Sequence, residues 1–111
     1  MIRPFVKLTV PISGVPVRVS SQEADPNARV ACHGFMIQVL PGNTGKIYVG
    51  TSQMSKATFA NMVAILAVPT SNSIPTFSAA LTLAPNAVHL HDLYIDADNA
   101  NDGVIVSYLI A

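Results

Sequence analysis

The chain has 111 residues, 50% of them hydrophobic and only 11% Asp, Glu, Lys or Arg, with a formal net charge of zero. That length fits one domain whose core needs neither disulfides nor metals. The basic residues are too dispersed for a phosphate-binding stripe, the lone Cys32 cannot form an intramolecular disulfide, and the longest apolar run, Met62 to Val68, is too short for a membrane helix. From the N-terminus, Phe5 to Val10 is rich in β-branched residues and reads as a strand. Residues 1–14, which include Arg3 and Lys7, read equally as that first strand or as an extended arm reaching a neighbour. Pro11 to Gly14 ends the strand, and Val15 to Val19 forms a short second one. Pro16 has no N–H to donate to a ladder and so places that second strand at a sheet edge.

Residues 20–27 (SSQEADPN) are a polar loop, and Val30 to Leu40 is a long central strand with a bend at Gly34. Pro41-Gly42-Asn43-Thr44-Gly45 is a turn, and Lys46 to Val49 returns from it, so residues 35–50 are expected to form a β-hairpin. In 51–61, Ser52 offers a cap for a single helical turn; the alternative is a plain loop. Met62 to Val68 is then a strand buried on both faces, ended by Pro69. Ser71 to Pro75 is a loop, Phe77 to Leu83 a strand, and Ala84-Pro85-Asn86 a breaker. The last strands, Leu90 to Ile95 and Val104 to Ile110, are expected to be joined by a tight acidic turn, Asp96 to Gly103. About eight short strands punctuated by Pro, Gly and Asn predict an all-β class. The architecture is a single-domain antiparallel β-sandwich or jelly-roll-like barrel covering residues 1–111.

Ordinary soluble domains carry about 25% charged residues. Area scaling leaves roughly 5,900 Å² of this chain wet, or about one charge per 490 Å². Ser, Thr, Asn, Ala, Val and Pro must therefore cover much of the exterior. That suits contact with other protein; the plainer alternative is a neutral extracellular coat. All basic residues lie at or before Lys56, and after it only Asp92, Asp96, Asp98 and Asp102 carry charge. Such segregation either neutralises itself within the fold or lets one copy's basic face meet another's acidic face.

Several constellations invite a chemical reading. Cys32 and His33 are a nucleophile and a base, but neighbours in a strand project to opposite faces, so a buried packing cysteine is the stronger reading. His89 and His91 share a strand face, as two metal ligands would, yet no third ligand is fixed and Asp92 points the other way. Asp96, Asp98 and Asp102 resemble a calcium loop, but an EF-hand starting at Asp98 would put Ala100 at its third position and Leu109 at its twelfth. An irregular ion site at His89/His91 or in the Asp96–Asp102 turn is left open. With no Trp, three Tyr and four Phe, a stacking platform for sugars or single strands is poorly supplied. The expectation is a chain with no catalytic residue, cofactor-binding residue or metal ligand, and with neither nucleic acid nor membrane as partner.

Three runs carry a resemblance: Lys46-Ile47-Tyr48-Val49-Gly50, Leu90 to Asp98 (LHDLYIDAD), and Gly103-Val104-Ile105-Val106-Ser107-Tyr108. Together they are similar to the small β-sandwich virion proteins of tailed bacteriophages, among them capsid decoration or cement proteins. The similarity spans roughly residues 34–111 and holds no reactive motif. It implies a structural protein that binds and stabilises the assembled phage head. Its partners would be the major capsid protein and other copies of itself, often as a trimer; it would be made soluble in the host cytoplasm and sit on the virion surface. The alternative is a tail, fibre or baseplate β-domain that touches a host glycan. A third reading is an enzyme or metal protein using Cys32, His89, His91 or the acidic turn.

Overall fold

The computed structural model describes residues 2–19, 31–79, 88–89 and 93–110. The expected polar loop at 20–27, most of the 77–83 strand's second half, and residues 90–92 lie outside them. The described residues form nine strands in two antiparallel sheets: β1 (Ile2–Thr9), β2 (Val17–Arg18), β3 (Ala31–Val39), β4 (Ile47–Ser55), β5 (Ala60–Leu66), β6 (Thr76–Ala79), β7 (Val88–His89), β8 (Tyr94–Ala97) and β9 (Gly103–Ile110). One sheet runs β1-β9-β3-β6, with β7 also on β3, and the other runs β2-β8-β4-β5. The fold is a β-sandwich.

Period-two alternation builds the core. Phe35, Ile37 and Val39 on β3 and Val104, Val106 and Tyr108 on β9 are buried, while the residues between them are half-buried. Ile47 and Val49 on β4 and Ile95 and Ala97 on β8 meet them from the opposite sheet, each fully enclosed. Burying side chains of this kind stabilises by about 1.5–3 kcal/mol each, so this alternation outweighs any local propensity. Near Gly34, where a bend is expected, the register of β3 against β9 shifts between Cys32 and Gly34.

Residues 35–50 do not form a hairpin. β3 is bonded by β9 on one edge and by β6 and β7 on the other, so it has no edge left for β4. The 40–46 segment instead crosses the sandwich, and β4 pairs with β5 and β8. The acidic turn is not a hairpin either: it carries the chain from β8 in one sheet to β9 in the other. Of the expected Leu90–Ile95 strand, residues 90–92 lie outside the described ones, and Tyr94–Ile95 belong to β8, which pairs with β2 and β4.

Residues 51–61 hold no helical turn; the true hairpin is β4–β5, closed by residues 56–59. Its strands approach closely, since a Cβ on Gly50 would lie 2.5 Å from the Asn61 carbonyl oxygen, and only glycine fits. β5 is not buried on both faces. Leu66 enters the core, whereas Val63 and Ile65 are about half exposed, because β5 is the last strand of its sheet and no described layer covers its outer side.

Candidate interaction surface

The residues singled out by type fall into two groups. Cys32 and His33 lie in β3 and His89 in β7, with Ala31 and Cys32 opposite His89 and Val88 in register; the side chains of Cys32, His33 and His89 lie outside the described residues, as do His91 and Asp92 altogether. The acidic turn, by contrast, is described in full. Its carboxylates are consumed in fastening the fold.

Asp102 is buried and accepts hydrogen bonds from the Thr44 N–H (3.0 Å), the Gly45 N–H (2.8 Å) and the Thr44 hydroxyl (3.3 Å). Asn43 adds a reciprocal pair, its Nδ2 donating to the Gly103 carbonyl at 2.7 Å and its Oδ1 accepting from the Gly103 N–H at 3.0 Å. The sheet-crossing segments 40–46 and 98–102 are thus bolted together, and another, 10–16, joins them through Val10 N–H to Asp102 O and Asn101 N–H to Val10 O. Asp96, also buried, accepts from the Gly14 N–H at 3.0 Å and from the Ala97 N–H at 2.7 Å. Asp98 accepts from the Tyr48 hydroxyl at 2.9 Å. Burial, and then this bond and the Asp98 and Asp96 charges, hold the Tyr48 phenol above its usual pKa. No group of three or more His, Cys, Asp or Glu among the described residues is arranged to hold a metal ion.

The cations of the β2-β8-β4-β5 sheet are engaged in the same way. Lys56 Nζ donates to the Ser13 hydroxyl and, at 2.7 Å, to the Ala97 carbonyl, while Ser13 Oγ itself donates to Ala97 O at 2.8 Å. Arg18 donates twice to the Tyr94 hydroxyl, at 2.9 and 2.6 Å, and its guanidinium carbon lies 5.3 Å from that ring's centroid. Polar groups here hold the chain to itself.

Apolar groups do the opposite. Seven large hydrophobic side chains are exposed among the described residues, and five of them, Phe59, Val63, Ile65, Val68 and Ile74, belong to β5 and the turns on either side of it. The other two, Ile12 and Val15, flank the Ser13 to which Lys56 is tied. Phe59 is 61% exposed and has φ of 59°, a left-handed conformation that costs a bulky residue roughly 1–2 kcal/mol. Asn61, at φ 55°, holds the hairpin by donating from Nδ2 to the Gln53 carbonyl at 3.2 Å. Reactive residue types do not mark this surface. The signal for it was the charge-free interval between Lys56 and Asp92, the longest in the chain.

The described site therefore offers contact area in place of a reactive pair: uncharged, apolar, and centred on a sheet edge. Comparisons with protein-family models, with curated proteins and with solved structures find no match to this chain.

Proposed function

We propose that this protein is a structural subunit of a virus particle: a capsid decoration protein that binds the assembled phage head and stabilises it, acting as a homo-oligomer beside the major capsid protein. One observation carries the reading. The β5 side of the sandwich presents Phe59, Val63 and Ile65 to solvent in a stretch without a single charge, on a body whose described acids are turned to internal bonds. Apolar patches of a few hundred Å² are about the largest that monomeric proteins carry, and such patches are often functional. The three sequence runs similar to phage virion proteins point to a head as that partner. A ligand that binds only the assembled shell shifts the shell's equilibrium towards the intact form, which is what a cement protein does by mass action.

The test is reconstitution. Shells assembled from the major capsid protein encoded beside this reading frame are mixed with the purified chain and sedimented. The reading expects saturable co-sedimentation at a fixed ratio to capsid subunits, and shells that survive a higher temperature with the chain bound. A reading frame with no capsid gene near it, or shells that pellet without the chain, overturns it. Binding to a host glycan instead would favour a place in the tail or fibre.

A further inference from the structure

We infer that β5 is a contact between two copies of this chain, related by a two-fold axis that sets Val63 of one copy against Ile65 of the other. The inference rests on the chain's being an assembly subunit, and it names the surface and partner that the function above leaves open. The sheet edges supply the first argument. Proteins guard exposed edges with charge, proline, shortness or an irregular pairing. β1 carries Arg3, Pro4 and Lys7 and a register shift between Arg3 and Val6. β2 has two residues and follows Pro16, and β6 has four and follows Pro75. β5 has seven residues, ANMVAIL, with no charge and no proline; its only irregularities lie in its register against β4.

Self-compatibility is the second argument. A two-fold contact lays each residue near its own copy, so any charge close to the axis would face its like. The described chain from Ala57 through Ala79 contains no charged residue, and the whole chain has no net charge to repel a second copy. With Asn61 in the left-handed region, the extended part of β5 is 62–66, centred on Ala64. Antiparallel apposition about that centre brings the exposed Val63 and Ile65 together twice, a self-complementary apolar pair.

Area is the third. The exposed fractions of Phe59, Val63, Ile65, Val68 and Ile74 amount to roughly 450 Å² of surface. A standard interface buries about 800 Å² per partner, a little over half of it apolar, so a contact that covers all five side chains has about the apolar share one side needs. A two-fold contact gives an even number of copies, in place of the three that the phage resemblance implies.

Charge exchange at the axis tests this without any capsid. Sedimentation equilibrium of the purified parent chain should show a dimer. Val63→Lys and Ile65→Glu, each at an exposed position, should keep the parent's circular dichroism and melting temperature while weakening association by on the order of 100-fold. Mixing the two variants should restore a heterodimer, because Lys at 63 then faces Glu at 65 and the second Val63–Ile65 pair is intact. Val15→Lys, away from the strip, should dimerise like the parent. A parent that stays monomeric, a dimer indifferent to both substitutions, or a mixture that fails to re-associate overturns the inference. Loss of head binding with an intact dimer would instead overturn the proposed function alone.

Discussion

Two regions of this small sandwich spend their side chains in opposite ways. Where the chain crosses between sheets, Asp102, Asn43 and Asp96 are buried and bonded to backbone or to a neighbouring turn. Along β5, the residues facing outward are Val63 and Ile65, flanked by Phe59 in a strained conformation, and nothing in the described chain covers them. The usual arrangement, polar groups to water and apolar groups inward, is reversed at both places. A buried carboxylate costs desolvation unless amides replace the water, and here they do. An exposed phenylalanine held at positive φ costs twice, once in conformation and once in unburied surface. The lesson is that stability resides at the crossing end and association at the β5 side, so substitutions at the two should separate cleanly.

The sharpest way to break that separation is at the crossing end. A Cβ on Gly103 would sit 2.2 Å from the Leu8 carbonyl oxygen and 2.9 Å from the Thr9 Cα, both rigid backbone of β1. Gly103→Ala is expected to cost more than about 4 kcal/mol, read by urea unfolding, whereas Gly42→Ala, with nothing within 4 Å, stays within about 0.5 kcal/mol. Asp102→Ala comes next. It leaves the Thr44 and Gly45 amides without their acceptor, and should lower stability by about 3 kcal/mol and the melting temperature by roughly 10–15 °C.

Phe59→Asn sharpens the comparison from the other side. Asn tolerates the left-handed region, so the domain should gain about 0.5–1 kcal/mol by thermal unfolding while its self-association weakens. A substitution that raised both, or lowered both, would remove the distinction between the regions. The smallest effect is a pH dependence. Tyr48 has a folded pKa above its unfolded one, so its contribution is fully present below about pH 10 and is lost as the pH climbs from there through the folded value. Tyr48→Phe should flatten that alkaline loss in a urea-midpoint series against pH.

Much of the fold was legible. Alternating β-branched residues marked β3 and β9, and Pro16 put β2 at an edge, because burial on one face and a missing N–H leave direct traces in sequence. Pairing was not legible. Pro41-Gly42-Asn43-Thr44-Gly45 states that the chain reverses, but the same residues serve a reversal within a sheet or across one. What decides between them is that β9 and β6 occupy both edges of β3, contacts from 60 or more positions away or from later in the chain that no local pattern encodes. The acidic turn was misread for the same reason: its Asx residues suit a hairpin, yet Asp102 accepts from the backbone amides of Thr44 and Gly45. Met62 to Val68 misled in the opposite direction. An apolar run reads as a strand buried on both faces, yet it leaves Val63, Ile65 and Val68 exposed.

Amide hydrogen exchange of β5 against protein concentration tests the central claim most directly, since it reads both regions in one experiment. The account predicts that residues 62–66 become at least tenfold more protected as the protein is concentrated, while the Gly45, Asn101 and Gly103 amides exchange at the same slow rate throughout. Exchange in β5 that is fast and independent of concentration, up to the highest attainable, would contradict it.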